Sequence, residues 1–272
     1  MPNQATLNPV LLSKFALWIA IVVVATLLLG RRKVTSKVRI AFLIGGVLIL
    51  GVVYGLLTRG GVNPNPVFST RSLLAAVLVR HQLVLPVLVM LVVLLLMVFV
   101  SNKSICGWGC QLGLLQDLLH RVRLPKWKPP FWLSNGVRVI AFVALVAGLI
   151  IAGVDWIKGV DPFQLFSFKF TLGVGLFSAA VLVASLFIYR PWCQFLCPFG
   201  LLGWLVEQVS LLRPRINREA CKECKLCVKA CPSRAMADFY EGKKIHADCF
   251  ACGACIAACP VKDALGWRAK GG

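Results

Sequence analysis

The sequence predicts an α-helical integral membrane protein, with about five transmembrane helices, that ends in a small α+β domain. Composition is the first indication. Of the 272 residues, 59% are hydrophobic and 15% are charged, whereas soluble domains have about 45–50% apolar residues and about a quarter charged. The apolar residues are concentrated in long uncharged runs, and the carboxyl-terminal part instead carries two closely spaced groups of cysteines.

Five apolar segments are each long enough to cross a bilayer as a helix, which takes about 17–25 residues. They are residues 11–29, 40–57, 83–100, 136–154 and 170–189. The first could be a cleaved signal peptide. However, its basic residues follow the apolar run instead of preceding it, and Ala25-Thr26-Leu27 is a poor cleavage site. We therefore predict a retained helix.

The charge distribution predicts an orientation. The net charge of +20 comes from 30 Lys and Arg against 10 Asp and Glu. Such an excess could indicate nucleic-acid binding, but basic residues also gather in the cytoplasmic loops of membrane proteins. Most of them here follow the first, third and fifth segments, and the opposite side carries only Arg59, Arg71, Arg80, Lys158 and Lys169. We predict an outer amino terminus, a cytoplasmic tail and no nucleic-acid partner.

An internal two-fold repeat is predicted from two CxxxC motifs. Cys106 and Cys110 are each followed 87 residues later by a counterpart, Cys193 and Cys197, and Gly113 by Gly200. In each half, an outer loop containing a proline precedes the helix that leads to the motif. The predicted domains are an amino-terminal helix with a basic loop (residues 1–39), two membrane repeats (40–135 and 136–214) and the tail domain (215–272).

The tail contains the strongest motif. Cys221, Cys224, Cys227 and Cys231 follow the pattern CxxCxxCxxxCP, and Cys249, Cys252, Cys255 and Cys259 repeat it 28 residues later. In this pattern three cysteines bind one [4Fe–4S] cluster, and the fourth binds the neighbouring cluster. We predict one cluster on Cys221, Cys224, Cys227 and Cys259, and a second on Cys249, Cys252, Cys255 and Cys231.

Zinc is a poor alternative for these eight cysteines, because zinc ribbons place two CxxC pairs far apart along the chain. Between the two motifs, residues 238–246 are predicted to form a β-hairpin that turns at Glu241-Gly242. The tail would then be a βαββαβ ferredoxin-like domain with two [4Fe–4S] clusters.

The four membrane-face cysteines, Cys106, Cys110, Cys193 and Cys197, leave several interpretations open. Residues i and i+4 share a face of a helix, so each pair would present two sulfur atoms together. The repeat would bring both pairs to one side of the membrane. They could bind a third [4Fe–4S] cluster or a metal ion, act as redox-active thiols, or be small buried residues with no chemical role.

These motifs together resemble the NapH-type membrane polyferredoxins, with their NosR and CcoG relatives, over roughly residue 40 to the carboxyl terminus. Two features differ from the family pattern: Cys110 is followed by Gln111 instead of proline, and the first helix is additional. The resemblance implies a protein of the bacterial cytoplasmic (inner) membrane. It further implies oxidation of quinol and transfer of electrons through clusters to a partner such as a ferredoxin-type, cytochrome or reductase subunit.

Three functional hypotheses follow from the motifs and the resemblance. The first is a quinol dehydrogenase subunit, for which ionisable residues near the apolar segments are candidate quinol or proton sites. These candidates are His81, Asp117, His120, Asp155, Asp161 and Glu207. The second hypothesis is a copper-handling assembly factor like CcoG. The third is an electron-relay anchor, without catalysis, in a larger respiratory complex.

Overall fold

The computed structural model of the chain describes residues 9–58, 64–168 and 171–269. The membrane region contains helices α1 (Pro9–Gly30), α2 (Ser36–Gly46), α3 (Tyr54–Leu57), α4 (Pro66–Leu78), α5 (Leu85–Ser101), α6 (Gln111–His120), α7 (Phe131–Ala152), α8 (Leu172–Phe187), α9 (Pro191–Phe195) and α10 (Pro198–Glu207). The tail contains β1 (Arg213–Ile216), α11 (Leu226–Ala230), α12 (Ala235–Glu241), α13 (Ala254–Ala258) and β2 (Leu265–Arg268).

In the described residues, three helices are long and apolar enough to cross a membrane. They are Pro9–Gly30, Ser36–Leu57 and Phe131–Ala152, each of 22 residues. Ser36–Leu57 is continuous because the π-helical stretch Val47–Val53 joins α2 to α3. Helices α5 and α8 are apolar but have only 17 and 16 residues. The prediction of a mostly helical membrane protein is confirmed. Three residues named in these predictions lie outside the described residues. They are Arg59 and Lys169 of the predicted outer loops, and Phe170, the first residue of the fifth predicted segment.

Some of the helices, α2 and α4 among them, begin at side chains that cap their free backbone N–H groups. Thr35 accepts a hydrogen bond from the N–H of Val38 at the start of α2. Asn65 accepts from the N–H of Phe68 at 2.8 Å, with Pro66 as the first helical residue. Because of this cap, the segment after Asn65 forms helix α4. The prediction of a loop there was wrong.

The tail has a smaller sheet than predicted. In the described residues β1 pairs only with β2, in antiparallel register from Arg213 opposite Arg268 to Ile216 opposite Leu265. The predicted hairpin in residues 238–246 was wrong, because Ala235–Glu241 is helical. Gly242, with a φ of +72°, ends that helix in the left-handed conformation that glycine adopts readily. A Glu-Gly pair suits a helix end as well as a turn.

The tail packs on the end of α1 and on the basic loop that follows it. Arg32 donates hydrogen bonds to five carbonyl oxygens at the end of α13 and beyond, those of Ile256, Cys259, Val261, Lys262 and Leu265. A guanidinium is favourable there because the carboxyl end of a helix carries partial negative charge. The basic loop therefore binds the tail, in addition to any effect on orientation.

The tail also contacts the first CxxxC motif. The indole of Trp108 donates to the carbonyl oxygen of Ala251 at 2.8 Å. A side chain at Gly107 would meet the backbone carbonyl of Phe250. Only glycine at position 107 allows the two backbones to approach so closely.

We predict that Gly107→Ala weakens this packing, because the added methyl group must displace the backbone of Phe250. Overpacking costs about 1–3 kcal/mol, so the midpoint of thermal unfolding in detergent should fall by several degrees. Gly136→Ala is the matched control, because an added Cβ there meets no atom within 4 Å. Equal midpoints for the two variants would contradict the prediction.

Candidate functional site

The two tail motifs have the same backbone geometry. Glu223 and Lys225 in the first motif have φ values of +54° and +55°, and their counterparts Ala251 and Gly253 have +49° and +78°. Left-handed backbone costs a non-glycine residue about 1–2 kcal/mol. The same strained conformations occur at corresponding positions in both motifs, and residues held in such conformations often belong to functional sites.

The eight tail cysteines line two separate cavities. Cys221, Cys224, Cys227 and Cys259 line one cavity. The second cavity is lined by Cys231, Cys249, Cys252 and Cys255. Helices α11 and α13 lie side by side, and each ends at a cysteine that lines the cavity of the other motif. Each cavity thus holds three cysteines from one motif and one from the other.

The two cavities differ in their access to solvent. Cys224, in the first set, is exposed. The second set is more enclosed, and burial raises the pKa values of Cys249 and Cys255 well above the ordinary value for a thiol. Thiolate ligands at these positions would need a nearby cationic centre, and the iron atoms of a cluster supply one.

The membrane-face cysteines do not lie on continuous helices, contrary to the prediction. Cys106 is in the π-helical stretch Ile105–Gly109 and Cys193 is in α9, but Cys110 and Cys197 have extended backbone and precede α6 and α10. The thiols nevertheless lie close enough to interact. Burial raises the pKa of Cys193 to about 12, and the Cys110 thiol contributes to that rise.

Buried charged residues surround these four cysteines. The cations Arg39, Lys103, Arg138 and Arg190 are at most 2% exposed. Arg190 donates to the carbonyl oxygen of Cys106 at 2.6 Å, and Arg138 donates to that of Cys193 at 3.3 Å. Each CxxxC motif thus has the carbonyl of its first cysteine bound by a buried arginine.

Three buried carboxyl groups balance only part of this positive charge. Arg39 and Arg190 both donate to Asp117 Oδ2, at 2.7 and 3.0 Å. Although burial alone would raise the pKa of Asp117, these arginines hold it well below its usual value. Burial instead raises the pKa of Glu207, which favours its neutral form.

The third carboxyl group, Asp248, belongs to the tail. Lys103 and Arg138 both form ion pairs with it, Arg138 at 3.0 Å. Burial alone would raise the pKa of Asp248, but these two cations hold it below its usual value. The four cations face three buried carboxyl groups, since Glu207 lies 3.7 Å from Lys103 Nζ, and Lys14 is a further buried cation near Cys110. An uncompensated buried charge is costly, so the excess of positive charge favours an anionic group at the four cysteines.

Phe250 connects the second tail motif to this region. It lies between Cys249 and Cys252 in the chain, and its ring centroid is 5.8 Å from that of Tyr189. The Nζ of Lys103 and the guanidinium carbon of Arg190 lie 5.4 and 5.1 Å from the same ring. The second set of tail cysteines is therefore packed directly against the four-cysteine region.

The structure separates the six ionisable candidates into four locations. Asp117 and His120 line a cavity between the membrane region and the tail, together with Cys252. Glu207 accepts a hydrogen bond from the N–H of Cys249 at 3.3 Å. Asp155 and Asp161 are close to Arg71, at 2.6 and 3.8 Å. His81 is exposed, with a φ of +50°.

The sequence did not indicate that the four cations and Asp248 are buried beside the membrane-face cysteines. One signal was available: Lys103 and Arg190 are separated by the same 87 residues as the cysteine pairs. Arg138 was another, because it is a charged residue inside a segment predicted to cross the membrane. Asp248 gave no such signal, since an acidic residue in a soluble tail is ordinarily a surface residue.

Comparison with known proteins defines the class of this chain. Residues 213–260 match the model of a 4Fe-4S dicluster domain. Residues 83–130 and 170–219, which include the two CxxxC motifs, each match the model of a 4Fe-4S binding domain. With its membrane-length helices, the chain is a mostly helical membrane protein that contains 4Fe-4S binding domains.

Curated relatives confirm the resemblance to NapH-type proteins. The chain is 28% identical to YccM of Escherichia coli, over 65% of this chain and 54% of YccM. It is 28% identical to the ferredoxin-type protein NapH of Haemophilus influenzae, over 63% of this chain and 64% of NapH. With the regulatory protein NosR of Pseudomonas aeruginosa the identity is 27%, over 48% of this chain and 20% of NosR.

The matched region is thus between a fifth and about two thirds of each of these three proteins. No solved structure matches the chain.

We predict that Asp248→Asn destabilises the protein strongly, because it leaves Lys103 and Arg138 buried beside a neutral group. Removing one partner of a buried ion pair costs about 3–5 kcal/mol. Asp263→Asn, at an exposed position of the same tail, is the control. Thermal unfolding in detergent should separate the two variants, and a D248N protein as stable as D263N would show that the ion pairs contribute little.

Proposed function

We propose that the chain is a membrane electron-transfer protein that oxidises quinol, or exchanges electrons with the quinone pool, and passes electrons to a partner oxidoreductase. The observation that carries this proposal is the arrangement of the eight tail cysteines, which line two cavities beside a membrane-embedded region. The similarity to the ferredoxin-type protein NapH supports an electron-transfer role. Action as a quinol dehydrogenase subunit within a complex is the form that we favour.

We assign one [4Fe–4S] cluster to Cys221, Cys224, Cys227 and Cys259, and another to Cys249, Cys252, Cys255 and Cys231. Each cluster, when bound, accepts and donates a single electron. The first set includes the exposed Cys224, so that set is the one nearest to a docked redox partner. The second set faces the membrane region through Phe250. Electrons taken from the membrane would therefore enter at the second set and leave at the first.

A third [4Fe–4S] cluster at Cys106, Cys110, Cys193 and Cys197 is part of the proposal. Four thiolates around a [4Fe–4S]²⁺ core carry a net charge of about −2, which would offset the excess of positive charge among the buried groups. Two further observations support this assignment. Both segments match a 4Fe-4S binding domain, and the backbone N–H of Gly200 donates to the sulfur of Cys197 at 3.2 Å.

We further propose five membrane spans, with the tail in the bacterial cytoplasm. The end of α1, both CxxxC motifs and the tail pack together, which supports their location on one side. An odd number of spans then puts the amino terminus on the periplasmic side. Helices α6 and α10, of ten residues each, follow the two motifs at the same spacing, which supports an internal repeat.

We expect anaerobically purified protein to contain about twelve iron atoms and as many acid-labile sulfides, for three [4Fe–4S] clusters. A C106A/C193A double variant should retain about eight of each, because only the membrane-face site is lost. Metal analysis with sulfide determination measures both quantities. Unchanged iron in the double variant would exclude the third cluster, and copper bound at these cysteines would favour an assembly role.

The quinol hypothesis predicts that a short-chain quinol, such as decylubiquinol or a menaquinol analogue, reduces the clusters without oxygen. EPR of the reduced protein should show the paramagnetic [4Fe–4S]⁺ state, and dithionite should give the maximum signal for comparison. Clusters that dithionite reduces should also be reduced by a quinol whose potential is lower than theirs. If no such quinol reduces them, quinol oxidation is contradicted and the relay role remains.

A further inference from the structure

We propose that the cavity between the membrane region and the tail binds the quinol headgroup, and that His120 accepts its protons. This inference rests on the function proposed above. It adds a location and a base, neither of which follows from the cysteine motifs or from the similarity to known proteins.

The cavity lies where a membrane-soluble carrier could enter. Ser36, the first residue of the membrane-length helix Ser36–Leu57, lines it, and so does His120 at the end of α6. Most of its wall is apolar, with Val34, Ala230 and Ala254 among the lining residues. An apolar cavity with a few fixed polar groups is typical of a site for a planar organic ligand.

Arg39 adds a buried positive charge to the wall of this cavity. Its side chain is 2% exposed and lines the cavity. Nη2 is bound to Asp117 and to the carbonyl oxygen of Gly107, whereas Nε and Nη1 are buried and have no hydrogen-bond partner in the part of the chain that the structure describes. Buried donors without partners are costly. Because these two nitrogens have almost no accessible surface, the Arg39 side chain would have to turn toward the cavity before a headgroup oxygen could accept from them.

His120 is the group in this cavity best suited to accept a proton. Its Nδ1 lies 3.2 Å from the carbonyl oxygen of Ser185, which fixes the ring with Nδ1 as donor and leaves Nε2 as an acceptor. Burial lowers the pKa of His120 below its ordinary value, so the neutral ring predominates at neutral pH. Asp117 is less suitable because Arg39 and Arg190 stabilise its ionised form.

The groups named above can take up both electrons and both protons of the reaction. A quinol loses two electrons and two protons as it becomes a quinone, and its two O–H bonds break. The electrons reduce two oxidised clusters by one electron each, entering at the set that contains Cys252, which lines the cavity. His120 Nε2 takes the first proton, releases it to solvent at the open mouth, and then takes the second.

A larger cavity on the opposite side of the membrane region is the competing location. It is lined by Arg71, Arg80, Asp155 and Lys158 among others, but by no cysteine. A quinol there would be separated from the tail cysteines by the membrane region. Electron transfer in steps between adjacent centres therefore favours the cavity at Cys252.

The test compares His120→Gln with His81→Gln in the full-length protein. H120Q should slow reduction of the clusters by decylubiquinol by at least about 100-fold, the typical contribution of a general base, and leave reduction by dithionite unchanged. H81Q, at an exposed histidine outside the cavity, should behave as wild type. Equal quinol rates in the two variants would overturn the role of His120.

Binding is measured separately with a photoreactive azidoquinone. Labelled peptides should include residues 111–121 or 252–258, and Ser36→Trp, which narrows the cavity, should reduce labelling and raise KM with less effect on kcat. Labelling confined to the segment around Arg71 and Arg80 would overturn the location. Wild-type clusters that no quinol reduces would instead refute the proposed function, and the labelling result would still decide the binding site.

Discussion

Asp248 forms ion pairs with two cations from different parts of the membrane region: Lys103, which follows α5, and Arg138 in α7. All three side chains are at most 3% exposed. Charges this deeply buried are tolerated only when they are paired and hydrogen-bonded. Docking of the tail therefore supplies the carboxylate that pairs with Lys103 and Arg138, and these ion pairs in turn hold the second cysteine motif at a defined position.

The same charges account for the environment of the four membrane-face cysteines. A cluster held by four thiolates is anionic, and the surrounding arginines and lysine would stabilise that charge without contributing a ligand. Gly113 and Gly200 help to bring the arginines close. A side chain at Gly113 would lie 3.0 Å from Arg190 Nη1, and one at Gly200 would lie 3.5 Å from Arg138 Nη1. The two CxxxC motifs thus share a packing arrangement as well as a sequence pattern.

Burial arranges the cysteine sets in an order. The four membrane-face cysteines are fully enclosed, the second tail set packs against them through Phe250, and the first tail set reaches the surface at Cys224. Carriers of single electrons work best when neighbouring centres are close and only the last is accessible to a partner. This arrangement suits the transfer of electrons from the membrane to a soluble protein better than it suits a set of redox-active thiols.

The sequence by itself determined the features that depend on neighbouring residues. Runs of apolar residues identified the membrane helices, because every backbone group in lipid must be hydrogen-bonded within its own helix. The spacing of Cys221 to Cys231, repeated from Cys249 to Cys259, identified the ferredoxin-type tail, because loop geometry around a cluster is local. The same local rules were ambiguous at Glu241-Gly242, where a helix end and a hairpin turn have similar signals.

Only the tertiary structure decided which charged residues surround the cysteines and where the ionisable candidates lie. Asp117 and His120 line the same cavity as Cys252, although Cys252 follows each of them by more than 130 residues in the chain. Asp248 became an internal ion-pair partner although its sequence context resembles a surface position. The physical reason is that burial depends on how distant segments pack, and the energy of a charge depends on that burial more than on its neighbours in sequence.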